Sequence, residues 1–175
     1  MSSPEFNVFK VGLFAELDRK KDRILAGKMS LLERVQPLTE EWAMGDCALD
    51  GVATVAMPTA VKNHRAATAW LFQHPEDSAD ISIALKTIHA LMVFSLSDQG
   101  GQFRSQEGIP LCANHEPCDA SMISALVDRL TEWTRADSFG ELHPVQQSAL
   151  VLIRLLDISP FVEATARTSR VVANG

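Results

Sequence analysis

The chain has 175 residues, with 22 acidic against 16 basic side chains and a pI near 5.3, so its surface is modestly acidic. This charge argues against general binding to nucleic acids or membranes, and no stretch is apolar for long enough to span a bilayer. The N-terminus lacks a secretion-signal pattern and the three cysteines are an odd number, so we expect a cytoplasmic protein without a disulfide framework.

The first third of the chain predicts a series of short helices. A leucine-bearing charged segment is typical of a surface helix, and Ser30 and Thr39 are suitable N-caps for two more. Gly45 is expected to end the second of these. We therefore predict a helical N-terminal extension over residues 1–50 and a core domain over residues 51–175.

Two amphipathic helices are predicted in the middle of the chain, the second of them capped by Ser78. The first, from Thr59 to Phe72, is expected to turn four residues toward the core: Val61, Ala66, Ala69 and Trp70. The second carries an apolar stripe at helical spacing: Ile81, Leu85, Ile88 and Met92. His89 lies beside this stripe. A histidine there is more often a hydrogen-bonded core residue than a catalytic one, although both interpretations stay open.

Residues 95–118 are glycine-rich and aperiodic, which indicates loops. They include three soft metal ligands at short spacing: Cys112, His115 and Cys118. A structural zinc ion needs four ligands, and the sequence adds only the distant Cys47 or a carboxylate such as Glu116. Two ordinary thiols in a loop are therefore the favoured interpretation.

Two further helices are predicted before the last segment. Asp119 caps the first, whose core-facing residues are expected to be Met122, Leu126, Leu130 and Trp133. Pro144 begins the second, over residues 144–157, with five apolar residues at helical spacing: Val145, Ala149, Leu152, Ile153 and Leu156.

Pro160 ends that helix, and a new one is expected from about Arg167. Proline disfavours a helical conformation in the preceding residue, so Ser159 is expected to be extended and Phe161 to enter the core. A helix N-terminus with arginines suits an anion, because free N–H groups, the positive end of the helix dipole and guanidiniums meet there.

This segment, S-P-F-V-E-A-T-A-R-T-S-R, resembles the signature of the Fic family, H-P-F-x-[D/E]-G-N-G-R-x-x-R, whose members transfer AMP from ATP to a protein hydroxyl. The resemblance implies an all-α, Fic-like helical bundle with a small β-hairpin flap and a short C-terminal side. It assigns Glu163 to Mg²⁺, and Arg167 and Arg170 to the phosphates of ATP. The residues at the positions of the phosphate-cradling G-N-G are Ala164, Thr165 and Ala166.

Two departures from the signature concern its chemistry. Ser159 occupies the position of the family's histidine, the general base, and a hydroxyl lacks basicity near neutral pH; losing the base costs about 10²–10⁴-fold in rate. Alanine also resists the backbone conformations that glycine adopts beside a phosphate. We therefore expect a degenerate member, inactive or strongly impaired as an AMP transferase, that keeps an anion or nucleotide pocket and a binding or regulatory role. The alternative is an active enzyme that transfers AMP or another phosphate-containing group, with water or His89 as the substitute base.

The glycine-rich segment resembles a second family feature. Gly101, Phe103 and Arg104, followed by H-E-P, are similar to the flap that aligns a protein target by strand pairing. The resemblance thus implies a protein target at the flap, beside the nucleotide, and leaves a homodimer open.

The segment G-D-C-A-L-D-G resembles the family's inhibitory helix, in which a glutamate pairs with the last motif arginine and blocks productive ATP binding. By position, Asp46 stands for the Ser/Thr of that helix and Asp50 for its glutamate. The resemblance implies that Asp50 reaches Arg170; the alternative is an ordinary helix end closed by Gly51.

Overall fold

The computed structural model describes residues 4–27, 31–110 and 114–175. Their regular elements are α1 Pro4–Leu25, α2 Leu31–Leu49, α3 Met57–Gln73, α4 Pro75–Ser78, α5 Ile81–Met92, a 3₁₀ turn Ala120–Met122, α6 Ile123–Thr134, α7 Asp137–Gly140, α8 Pro144–Ile158 and α9 Thr165–Ala173. No strand occurs among the described residues, so the predicted all-α fold is confirmed. Within the same residues, no helix is both long and apolar enough to cross a membrane.

The chain forms two compact units, Met1–Pro37 and Leu38–Gly175. The boundary falls inside α2 at Pro37, which lacks the N–H that a helix interior uses. The larger unit contains the end of α2 together with every later helix. The division at residue 50 expected from the sequence stays a prediction.

The expectation of two short helices before residue 50 is wrong, because α2 is continuous through both Thr39 and Gly45. Ser30, the first expected cap, lies outside the described residues. Ala43 and Cys47 in the same helix are fully buried. Their packing outweighs the roughly 1 kcal/mol by which glycine disfavours a helix interior.

Helix α5 forms the centre of the core and packs against α3, α6 and α9. Its predicted stripe is confirmed, since four apolar residues are at most 6% exposed: Ile81, Leu85, Ile88 and Met92. The cap is Asp80 rather than Ser78, because the Asp80 carboxylate accepts the N–H groups of Ser82 and Ile83 at 3.0 and 3.2 Å. Ser78 instead ends α4.

The predicted inward faces of three other helices are confirmed only in part. Leu130 is buried and four further predicted residues pack half-buried against the core: Trp70, Leu126, Trp133 and Leu152. Three others are exposed: Met122, Val145 and Ile153. Helix α3 buries Ala60, Asn63, His64, Ala67, Thr68 and Leu71; α6 buries Ile123, Val127, Leu130 and Thr131; α8 buries Val151, Leu155 and Ile158. In α3 and α6 polar residues face inward, which a purely apolar pattern does not detect. Helix α8 is apolar on more than one side, so its periodicity fits several faces.

Candidate functional site

The predicted break between α8 and α9 occurs at Ser159 and Pro160, and Phe161 is buried behind it at 2% exposure. Ser159 is left-handed, with φ 48° and ψ 65°, so the expectation of an extended residue is wrong. Proline excludes the right-handed helical region for the preceding residue, and here the chain takes the left-handed one. The Ser159 N–H still bonds the Leu155 carbonyl at 3.0 Å, which closes the last turn of α8.

The loop from Phe161 to Thr165 closes on itself through one hydroxyl. Thr165 Oγ1 accepts the Phe161 N–H at 3.1 Å and donates to the Phe161 carbonyl at 2.9 Å. Ala164 is the N-cap of α9 and is left-handed, with φ 53° and ψ 12°. Thus alanine adopts here a conformation that glycine adopts at lower cost. The structure thereby brings Ala164, Thr165 and Ala166 to the N-terminus of α9, where backbone N–H groups lack intrahelical partners.

Arg104 fastens this loop to the glycine-rich segment. Its backbone N–H donates to the Pro160 carbonyl at 2.9 Å, and the residue is only 4% exposed. Its guanidinium donates to four backbone carbonyls, those of Ile158, Ser159, Gln106 and Cys118. One buried side chain therefore joins both limbs of the predicted flap to the motif.

The predicted β-hairpin of the flap is absent from the described residues 95–110 and 114–118. In this segment the carbonyls of Gln106 and Cys118 accept from the Arg104 guanidinium. Gly101 has a φ of 74°, and a Cβ there would lie 2.9 Å from the Lys86 carbonyl oxygen, so the segment starts close to α5. Phe103 then packs beside Phe161, with ring centroids 5.6 Å apart.

His89 lies between the flap and the motif. Its ring stacks on Phe161 at 3.7 Å, its Nδ1 accepts the Gly101 N–H at 3.0 Å, and its Nε2 lies 3.2 Å from the Glu163 carbonyl. Since Nδ1 accepts, Nε2 carries the proton and donates to Glu163. Burial lowers the pKa of His89 to about 4. Together, Arg104 and His89 form what we call the loop tie, two buried side chains bonded to backbone atoms of the motif.

A second group of side chains meets at α9. Arg170 donates from Nε to Asp46 Oδ1 at 2.6 Å and from Nη2 to Asp50 Oδ1 at 2.8 Å. Asp46 Oδ2 lies 2.9 Å from His64 Nε2 on α3. With Arg167, these residues form what we call the acid–arginine cluster: Asp46, Asp50, His64, Arg167 and Arg170. Asp50 does reach Arg170, as the resemblance implies, and its inhibitory role stays a prediction.

Arg167 is the least satisfied member of the cluster. It is 5% exposed, its Nε has no hydrogen-bond partner, and its nearest carboxylate oxygen is Asp50 Oδ2 at 3.9 Å. Burial raises the pKa of the Cys47 thiol, and the charge of Arg167 partly opposes that rise. A buried guanidinium with an unsatisfied N–H in the first turn of α9 is suited to an anion.

Glu163, the predicted Mg²⁺ ligand, has an exposed side chain at the start of the turn before α9. Among the described residues, no group of three or more His, Cys, Asp or Glu side chains could hold a metal ion. Mg²⁺ takes one or two carboxylates beside waters and phosphate oxygens, so the exposed Glu163 carboxylate could be one of its ligands.

The other metal hypothesis concerned Cys112, His115 and Cys118, and Cys112 lies outside the described residues. His115 Nε2 lies 3.4 Å from the Asp157 carbonyl, and Cys118 Sγ donates to the Ile158 carbonyl at 3.3 Å. Both contacts fasten the flap to the end of α8. Cys118 is a free thiol whose pKa is raised by burial.

Sequence reasoning missed His64 and the role of Arg104. His64 is 18 positions from Asp46 and sits on another helix, so no local pattern joins them. Arg104 was assigned to the flap by resemblance, but its partners are backbone carbonyls, which carry no sequence signal. The helical spacing of Ala60, Asn63, His64, Ala67, Thr68 and Leu71 was the available signal, and three of these residues are polar, which suits a helix that faces polar partners.

Comparison with known proteins bears on this arrangement. A sequence profile of the Fic/DOC family matches residues 82–175. The protein adenylyltransferase Fic of Drosophila willistoni is 32% identical over 76 residues, and that of Drosophila melanogaster is 33% identical over 76 residues. Each match covers 43% of this chain but only 15% of the relative.

Among solved structures, the crystal structure of a Fic family protein from Desulfovibrio desulfuricans G20 matches with a TM-score of 0.74 at 17% identity. The match covers 99% of this chain and 57% of that chain. The fold and the site thus define an all-α domain in which a tight turn joins α8 to an arginine-bearing helix packed against it. The chain belongs to the Fic/DOC family.

Proposed function

We propose that this protein is a degenerate Fic protein that binds a nucleotide, with Mg²⁺, at the N-terminus of α9 and transfers AMP poorly or not at all. The observation that carries the proposal is Ser159 in the place of the family's histidine. This residue is 2% exposed, and its hydroxyl lacks basicity near neutral pH. A binding or regulatory role then suits the protein better than catalysis.

His89 does not replace the missing base in this proposal. Its Nδ1 accepts the Gly101 N–H, its Nε2–H is directed at the Glu163 carbonyl, and both ring faces and edges are buried. A general base must reach the proton that it abstracts. The proposal therefore assigns His89 to the loop tie.

The nucleotide phosphates would be held by Arg167, by Arg170 after its release from Asp50 and Asp46, and by the backbone at Ala164. Glu163 would hold Mg²⁺, which supplies charge neutralisation at the phosphates. Because Arg170 is bound by Asp46 and Asp50, only Arg167 of the two arginines has a free Nε–H for a phosphate. We therefore expect weak affinity for ATP. A protein target at the flap and a cytoplasmic location belong to the same proposal, on the resemblance of the flap segment and on the sequence composition.

An active transferase is the second candidate, and one observation favours it. Ala164 adopts the left-handed conformation that glycine would supply, so the substitution has not removed this feature of the loop. Such an enzyme would transfer AMP or another phosphate-containing group to a protein hydroxyl, with water as the proton acceptor.

Calorimetry with ATP and Mg²⁺, together with transfer of label from α-labelled ATP to lysate proteins, tests both candidates. We expect weak ATP binding that is lost in Arg167→Ala, retained in the remote surface variant Arg135→Ala, and not accompanied by labelling. Restoring Ser159→His, Ala164→Gly, Thr165→Asn and Ala166→Gly together should raise ATP affinity. Robust labelling by the unmodified protein, lost in Arg167→Ala, would instead establish the transferase.

A further inference from the structure

Asp46 holds Arg170 more closely than Asp50 does. Its oxygen lies 2.6 Å from Arg170 Nε, against 2.8 Å between Asp50 and Nη2, and its side chain is 4% exposed against 12% for Asp50. The Arg170 Nη2 also lies 3.5 Å from the Asp46 backbone carbonyl. A shielded charge pair is screened less by solvent, so the contact with Asp46 should be the stronger of the two.

Asp46 is in turn held by a third helix. His64 on α3 is fully buried, and its Nε2 lies 2.9 Å from Asp46 Oδ2. A carboxylate only accepts, so His64 donates from Nε2, and its Nδ1 lies 3.4 Å from Thr68 Oγ1. The edge of Trp42 packs against the ring at 5.3 Å. These contacts fix both oxygens of Asp46, one toward α3 and one toward α9.

The charged surroundings of His64 come from several helices. Helix α2 contributes Asp46, the turn directly after it contributes Asp50, and α9 contributes Arg167 and Arg170. On α5, which also packs against α3, the titratable side chains are engaged elsewhere: Lys86 lies over Phe103, and His89 bonds Gly101 and Glu163. The acids of α4, Glu76 and Asp77, are exposed.

We propose that His64 is a positioning residue that locks Asp46 onto Arg170, so that a contact among α2, α3 and α9, rather than Asp50 alone, regulates access to the phosphate site. This inference rests on the proposed function, because it concerns regulation of the same site. It predicts that loss of the His64 donor weakens the lock.

The contact with His64 acts through the geometry of Asp46. His64 holds Asp46 Oδ2, which leaves Oδ1 directed at Arg170 Nε. Because the Asp46 side chain is already restricted, it loses less conformational freedom when it pairs with Arg170. A polyphosphate must displace this pair before it binds Arg170, so removing the His64 donor should raise nucleotide affinity.

Two near-isosteric variants separate the carboxylates. Asp46→Asn and Asp50→Asn each remove one charge, and calorimetry with ATP and Mg²⁺ measures the result. We expect a gain in affinity of about tenfold for Asp46→Asn and about threefold for Asp50→Asn, within the usual range of coupling between sites. Equal gains, or a larger gain for Asp50→Asn, would overturn the assignment of Asp46 as the main lock.

Removal and restoration of the donor test His64 itself. His64→Leu removes the N–H that Asp46 accepts and should raise ATP affinity by about threefold or more, whereas His64→Gln keeps a donor and should retain most of the lock. Equal affinities of His64→Leu and the unmodified protein, or no restoration by His64→Gln, would contradict the proposal. If His64→Leu does not fold, His64→Asn, whose amide is too short to reach Asp46, replaces it. Absence of ATP binding by every variant would refute the proposed function, and the lock with it.

Discussion

Arg104 and Arg170 both secure the motif, but they do so through different kinds of partner. Arg104 is 4% exposed and donates to backbone carbonyls on both sides of the Ser159 turn. Arg170 has a side chain 24% exposed and is bound by two carboxylates, Asp46 in α2 and Asp50 in the turn after α2. The loop tie thus consists of contacts with the loop's own backbone, whereas the acid–arginine cluster depends on side-chain charges.

The difference separates what builds the site from what controls it. A phosphate can compete with a carboxylate for Arg170, since both are anions with oxygen acceptors. A phosphate cannot replace the carbonyls around Arg104 without disrupting the turn. We therefore expect changes in the loop tie to affect stability first and changes in the cluster to affect ligand binding first.

The largest effect is expected from Arg104→Met. It leaves several buried carbonyls without a donor, each at a cost of about 1–3 kcal/mol, so the free energy of unfolding should fall by more than about 3 kcal/mol in urea titration. Arg135→Met is the control, because Arg135 pairs with Asp80 at an exposed position and should change stability by less than about 1 kcal/mol. Similar losses in the two variants would show that the carbonyl contacts of Arg104 contribute little.

His89 gives the loop tie a pH dependence. Its pKa is lowered from 6.5 to about 4 by burial, so the folded state binds fewer protons than the unfolded state between these values. The stabilisation is complete above the unfolded pKa and is lost as the pH falls toward the folded one. Over this range, His89 should change the free energy of unfolding by about 3 kcal/mol.

Urea unfolding at pH 7 and pH 4 measures this effect. His89→Phe keeps a ring on Phe161 but cannot titrate, and it should lose less stability on acidification than the unmodified protein does. The carboxylates of the protein titrate in both variants, so the comparison isolates the contribution of His89. Equal losses would contradict the assignment of a buried, neutral imidazole.

The sequence predicted best those features that depend on local patterns. The apolar stripe of α5 and the break at Pro160 follow from helical spacing and proline chemistry. The proximity of Asp50 to Arg170 came from family resemblance alone. The inward faces of α3 and α8 could not be chosen, since α3 buries His64 for a partner on another helix and α8 is apolar on several sides.

The cluster should respond to substitution in a way that the loop tie cannot. Arg170→Met removes a positive charge that compensates the buried Asp46 carboxylate. We expect the free energy of unfolding to fall by about 2 kcal/mol, less than for a fully buried ion pair, because Arg170 is partly exposed. Adding Asp46→Asn removes the uncompensated charge and should restore part of that loss. A double-mutant cycle in urea should give a coupling of about 1 kcal/mol or more. Strict additivity of the two changes would contradict direct pairing of Asp46 with Arg170. No such double-mutant cycle exists for Arg104, because its partners are backbone carbonyls.

The smallest expected effect concerns the backbone at Ala164, between the loop tie and the acid–arginine cluster. The left-handed conformation of Ala164 costs an L-residue about 1–2 kcal/mol, and Ala164→Gly removes this cost. Glycine also raises the entropy of the unfolded state, which opposes the gain. The net stabilisation should be about 0.5–1 kcal/mol. Ala166→Gly is the matched control. It places glycine in the first turn of α9, so the same chemical change should destabilise by about 0.5–1 kcal/mol.

Thermal unfolding of the two variants measures the opposite signs. Destabilisation by both would mean that Ala164 is not held in the left-handed region. If Ala164→Gly stabilises the protein without raising ATP affinity, the loop already has the required backbone conformation. Weak nucleotide binding would then arise from the carboxylates on Arg170 rather than from the missing glycine, which places control of the site in the acid–arginine cluster.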